Sequence, residues 1–217
     1  MADFHQNGVI STLHNISNGS IEKIEEELIV FSKDRPIELI LPCLYSELEG
    51  PALGNIIKIL SKVKYLNHIV IGLDKANKSQ FLKAKKFFSG LKQPHSVLWN
   101  DGSRLSTIDK SLNKLHLSPK EQGKGKNVWY CMGYVLARDQ AKSIALHDCD
   151  ITTYNRELLA RLVYPVSNPQ FDYEFCKGYY PRVDGKKLNG RVTRLLVTPL
   201  LKTFKKVLGH RDYIEFI

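Results

Sequence analysis

The 217-residue sequence predicts an α/β domain, a largely parallel sheet with helices on both faces. Three observations carry this. Short apolar runs recur at residues 38–41, 68–73, 96–99 and 143–147, and they are nearly continuous rather than alternating, as in strands buried on both faces. Stretches of helical period separate them, which calls for crossover connections. Finally, the chemistry-bearing residues fall just after the runs, where open parallel sheets bind their ligands.

Taken in order, residues up to about 18 carry no clear period and read as an arm or an edge element. Ser20 is placed to cap a helix over 21–31, with Ile21, Ile24, Leu28 and Phe31 on one side, and Lys33-Asp34-Arg35-Pro36 breaks it. A first strand at 38–41 is ended by Pro42. A helix over 51–64, a strand at 68–73 and a helix over 78–88 follow, the last with Phe81, Ala84 and Phe88 inward. The strand at 96–99 leads into residues 102–125, the longest polar connection, which reads as a flap over a ligand. A helix over 127–138 and a strand at 143–147 come next. A helix over 156–164 is stopped by Pro165, a fifth strand is expected at 173–177, and a last helix at 193–208. This gives an arm and helix over 1–34 and one ligand-binding domain over 35–217.

Composition is that of a soluble globular protein, 43% hydrophobic and 25% charged. No apolar run approaches the roughly 20 residues of a membrane span, and the N-terminus lacks a secretory pattern, so no membrane partner and a cytoplasmic location are expected. Cys43, Cys131, Cys149 and Cys176 are far apart, without the spacing of a zinc site, and read as small buried hydrophobes. A net charge of +10 favours anionic partners. With no basic arm and no aromatic-interleaved basic motif, phosphorylated small molecules are favoured over nucleic acid.

The sharpest local signal is Leu146-His147-Asp148-Cys149-Asp150. Extended backbone sends alternate side chains to one face, so Asp148 and Asp150 can point together. Two such charges repel unless a cation compensates them, and a divalent metal would also screen a diphosphate. Gly123-Lys124-Gly125-Lys126 precedes a helix, where glycines let backbone N–H groups approach phosphate and Lys124 adds charge. It lacks the spacing of a Walker loop. Pro42 to Glu47 after the first strand, and Asp74 after the second, are placed to cradle a nucleoside. Gly190-Arg191-Val192-Thr193 before the last helix is a candidate site for a phosphate or carboxylate.

In order, PCLYSE, Asp74, GKGKNVW, HDCD and FCKGYYPR…GRVTRLLVTPLL resemble the glucosyl-3-phosphoglycerate synthase family of GT-A-fold, Rossmann-like glycosyltransferases, over about residues 38–208. The resemblance implies retaining transfer of a hexose, glucose in this family, from a nucleotide diphosphate sugar to the 2-hydroxyl of 3-phosphoglycerate. It places Pro42, Leu44 and Glu47 in the nucleoside loop, Asp74 on the base and Lys124 on the diphosphate. It makes Asp148 and Asp150 the motif for Mg²⁺ or Mn²⁺, with Asp150 the direct ligand, and gives Gly190, Arg191 and Thr193 to the acceptor phosphate. No general base is assigned. Where the family usually has Asn-Glu-Glu this chain has Tyr45-Ser46-Glu47, which leaves UDP-glucose and a GDP-sugar both open as donor. The family continues past the equivalent of Ile217 with a further motif and a histidine metal ligand, so a C-terminally truncated chain is expected, with activity alone and a homodimer both left open. Two rival readings are a sugar-phosphate nucleotidyltransferase, whose glycine-rich loop would follow the first strand, and a non-catalytic anion- or nucleic-acid-binding fragment.

Overall fold

The computed structural model describes residues 10–11, 20–178, 183–184, 187–188 and 196–208. Among them the order is β1 (Ile10–Ser11), α1 (Ile21–Asp34), β2 (Ile37–Leu44), a 3-10 turn (Tyr45–Glu49), α2 (Pro51–Leu60), β3 (Leu66–Asp74), α3 (Lys78–Phe88), β4 (His95–Trp99), α4 (Ser103–Lys114), α5 (Lys124–Arg138), β5 (Ser143–Leu146), α6 (Arg156–Ser167), β6 (Phe175–Cys176), β7 (Val183–Asp184), β8 (Lys187–Leu188) and α7 (Thr198–Leu208). They divide into two compact units, Met1–Lys177 and Gly178–Ile217. In the second, β7 and β8 form an antiparallel pair. Gly190, Arg191 and Thr193 lie outside the described residues.

In the first unit β4, β3, β2 and β5 form a parallel sheet in that order. Because side chains alternate along a strand, the sheet has two distinct faces. Leu39, Leu41, Cys43, Ile69, Ile71 and Leu73 enter one core with Leu28, Leu53, Ile56, Phe88 and Leu159 from the helices. On the other face Ile40 and Val70 pack against Cys131 and Val135 of α5. Past the register shift at Ile37–Glu38, the even-numbered residues of β2 and β3 thus face α5.

Local rules account for most helix starts. Ser20, Asn77 and Asn155 each accept a backbone N–H from the first turn of α1, α3 and α6. Pro51 opens α2, where its missing N–H costs nothing. Gly123 precedes α5 with φ +129°, a conformation that favours glycine.

Helix ends shift by a few residues, α5 beginning at Lys124 so that the expected glycine-lysine loop forms its first turn, and four larger departures stand out. Pro42 does not end its strand: β2 runs on to Leu44, with Pro42 opposite Gly72 of β3. The Ile40 carbonyl accepts from His147, so the even residues of β2 turn their backbone groups toward β5. The recorded ladder there ends at Ile40 opposite Leu146, and the nitrogen of Pro42 faces a side that asks nothing of it. Pro165 likewise lies inside α6, and Asn168 still donates to the Tyr164 carbonyl beyond it. Pro165 is buried with Leu159, Ala160 and Val163, so packing carries the helix past the lost bond. The polar connection contains α4, which has no buried residue and is half-covered only along Leu105, Asp109 and Leu112. Leu105, Ile108 and Leu112 do recur at helical spacing, a short period that the surrounding polar residues masked. The fifth strand shortens to β6, which pairs with β1 in parallel and not with the four-stranded sheet.

Candidate active site

Past Leu146 the chain keeps alternating. His147 and Cys149 are buried, Asp148 is half-buried and Asp150 exposed, so the two aspartates share the open side. His147 is locked beneath them, its Nδ1 2.9 Å from the Tyr154 hydroxyl. Burial lowers its pKa to about 4 against the opposing pull of Asp148, so the imidazole is neutral near pH 7.

Lys124, the first residue of α5, forms an ion pair with Asp148. Its neighbour Lys126 does something else. Lys126 lies 3.4 Å from Asp109 and over the Tyr130 ring, with only 13% of its side chain exposed, whereas 57% of Lys124 remains open. Asp109 also accepts from Ser118 and Tyr130, bonds that hold its carboxyl below the usual range. These contacts tie α4 and the following loop to the start of α5. Asn127 completes the anchoring. It donates to the Gly72 carbonyl at 2.8 Å and is 3% exposed.

On the β2 side, the Glu47 carboxylate accepts the Leu44 N–H at 2.8 Å and folds the 3-10 turn back onto the strand end. Its pKa is raised, first by burial and further by the charges of Asp150 and Asp148. The charges of Asp148 and Asp150 thus reach Glu47 across this end of the sheet, a repulsion that a divalent cation would relieve.

Asp74 ends β3 and lines a cleft of about 250 Å³ with Asn100, Asp101, Gln122, Gly123 and Lys126. Asn100 Oδ1 is buried there without a protein partner. Asp101 accepts the Ala76 N–H, and Trp99 donates to the Ala76 carbonyl and stacks on Phe81. Of the residues singled out by sequence, Pro42, Leu44, Glu47, Asp74, Lys124, Asp148 and Asp150 thus gather at the carboxyl ends of β2, β3 and β5. Asn127 and Asn100 are additions. An asparagine one turn into a helix gave no signal by itself, although Gly72 inside an apolar strand marked a close approach.

No protein-family model matches the chain. It is 48% identical over 217 residues to glucosyl-3-phosphoglycerate synthase of Persephonella marina, spanning 100% of this chain and 54% of that protein. It is 37% identical over 206 residues to the protein of the same name from Methanococcoides burtonii, spanning 94% of this chain and 50% of that protein. This chain is a sequence relative of the glucosyl-3-phosphoglycerate synthase family. It spans about half the length of the curated relatives it matches. Among solved structures, glucosyl-3-phosphoglycerate synthase of Mycobacterium tuberculosis in complex with Mn²⁺, UDP and glucosyl-3-phosphoglycerate superposes with a TM-score of 0.54 at 18% identity, over 91% of this chain and 59% of that one. Mannosyl-3-phosphoglycerate synthase of Rubrobacter xylanophilus gives 0.51 at 15%, over 88% and 58%. At such identities the likeness speaks for the fold, which is GT-A. No helix among the described residues is long and apolar enough to cross a membrane.

Proposed function

We propose that this chain carries the donor site of a metal-dependent hexosyltransferase that passes glucose, with retention, from a nucleotide diphosphate sugar to 3-phosphoglycerate in the cytoplasm. The observation that carries this reading is the ion pair of Asp148 with Lys124 at the start of α5, at the strand end where Asp150 and Glu47 also lie. The names of the two sequence relatives and the Mn²⁺ and UDP bound by the mycobacterial protein agree with it.

Each residue has a task that its position makes possible. Asp150 and Asp148 would hold Mg²⁺ or Mn²⁺, which supplies positive charge at the leaving diphosphate. Lys124 and the free N–H groups at the start of α5 stabilise the same negative charge as the sugar departs. Pro42, Leu44 and Glu47 form one wall of the nucleoside site, and Asp74 with Asn100 offers acceptors to base or ribose. Gly190, Arg191 and Thr193 are assigned to the acceptor phosphate from the sequence motif alone. The acceptor hydroxyl then approaches on the face the diphosphate leaves, a gain of proximity and orientation rather than of proton transfer.

Calorimetry with UDP-glucose and with a GDP-sugar, each with and without Mn²⁺, tests this. Asp150→Ala should abolish the Mn²⁺-dependent part of donor binding. Undiminished binding by that variant would end the proposal.

A further inference from the structure

On the sheet face opposite α5, Cys43 and Cys149, which the donor site does not use, form a compact trio with Glu47. Their sulfur and carboxylate atoms all lie within 4.8 Å of one another. If the β2–β5 register, which places Ile40 opposite Leu146, ran three residues further, Cys43 and Cys149 would stand side by side. The Cys43 thiol donates to the Leu44 carbonyl at 3.3 Å, so its hydrogen is held beside the 3-10 turn that carries Glu47. Both cysteines are 1% exposed, while Glu47 reaches the open side.

We infer that Cys43, Cys149 and Glu47 form a second cation site, selective for thiophilic d¹⁰ ions such as Zn²⁺ or Cd²⁺. The chemistry is one of ligand softness. Two sulfurs and one oxygen match a tetrahedral ion that keeps a fourth position open, whereas Mg²⁺ and Mn²⁺ prefer oxygens alone. Zinc–sulfur bonds of about 2.3 Å put two thiolates roughly 3.8 Å apart in a tetrahedral site. The trio needs at most about 1 Å of contraction to reach that spacing. Binding exchanges two thiol protons for one divalent ion and leaves the sulfurs as thiolates. It also draws Glu47 away from the Leu44 N–H, and so opposes donor binding. That last consequence alone rests on the reading of Glu47 as part of the donor loop.

Cd²⁺ titration of the 217-residue chain, followed by the thiolate-to-cadmium charge-transfer absorbance in the ultraviolet, tests the site. The wild type should show the band saturating at about one ion per chain, and Zn²⁺ should raise its Tm. Cys43→Ser and Cys149→Ser should each lose the band, Glu47→Gln should weaken Cd²⁺ binding, and Cys176→Ser should keep it. Asp150→Ala should also keep the band, which separates this site from the oxygen-ligand site whatever becomes of the donor proposal. Absence of the band in the wild type, needing no variant to fold, overturns the inference, as does a band that survives both Cys43→Ser and Cys149→Ser or vanishes in Asp150→Ala.

Discussion

Asn127 and Gly72 meet so closely that each requires the other. A Cβ at position 72 would lie 1.8 Å from Asn127 Oδ1 and 2.5 Å from the Cys131 sulfur, and Asn127 Nδ2 bonds the Gly72 carbonyl. Gly72→Ala should therefore push α5 off β3, at a cost of about 1–3 kcal/mol or more, the usual range for overpacking. Asn127→Ala leaves a buried acceptor unpaired and should cost about 1–3 kcal/mol. Urea unfolding measures both. Equal stability of Gly72→Ala and wild type would contradict the packing described.

Lys124 is more than half exposed, and its pairing with Asp148 contributes little to folding. Lys124→Ala should leave Tm within a degree or two of wild type. Nucleotide-diphosphate affinity should nevertheless fall about tenfold, a loss of roughly 1.4 kcal/mol. Calorimetry at two salt concentrations checks this, since the contribution should shrink as salt rises.

Asp150→Asn removes one of the negative charges that reach Glu47. Without metal, folding should be unchanged or slightly improved, because like-charge repulsion falls. The stabilisation by Mn²⁺ seen in a thermal-shift assay should be lost. Retention of the full Mn²⁺ shift would place the ion elsewhere.

His68 gives a pH signature remote from the site. It is 6% exposed, with Nε2 2.9 Å from Ser96 Oγ, and burial, then Arg138 and His95, lowers its pKa to about 4. The unfolded chain takes up this proton near pH 6.5, the folded one only near 4. Stability from this group should thus be full above pH 6.5 and fall by about 2 kcal/mol as pH drops toward 4. His68→Gln should reduce that slope in urea titrations, leaving the share contributed by His147. An unchanged slope would assign the acid sensitivity to other groups.

How much was legible in the sequence depended on whether a residue's role was set by its neighbours in the chain. The strands showed as apolar runs, and the cap at Ser20 is local chemistry, whereas α1 runs through Lys33 and Asp34 and stops only at Arg35. Burial alternates through Asp148 and Asp150 as expected, although the strand ends at Leu146 and Cys149 and Asp150 lie in a turn. Pro42 and Pro165 misled because their cost depends on which side a ladder has stopped or how well a ring is packed, which only tertiary structure decides. The thiols of Cys43 and Cys149 were read as separate hydrophobes, since residues brought together across adjacent strands have no spacing to recognise. The contrast between Lys124 and Lys126 was invisible for a similar reason: it is made by Asp109 on another helix.

The uneven lengths of β2 and β5 leave a stretch of main chain bare on one flank, at residues 42–44. Such a flank ordinarily invites a foreign strand. Here the two positions that would greet it are mute, since Pro42 has no hydrogen to give and that of Leu44 is already taken by Glu47. The gap cannot be zipped shut by another polypeptide, and it stays open for a small guest.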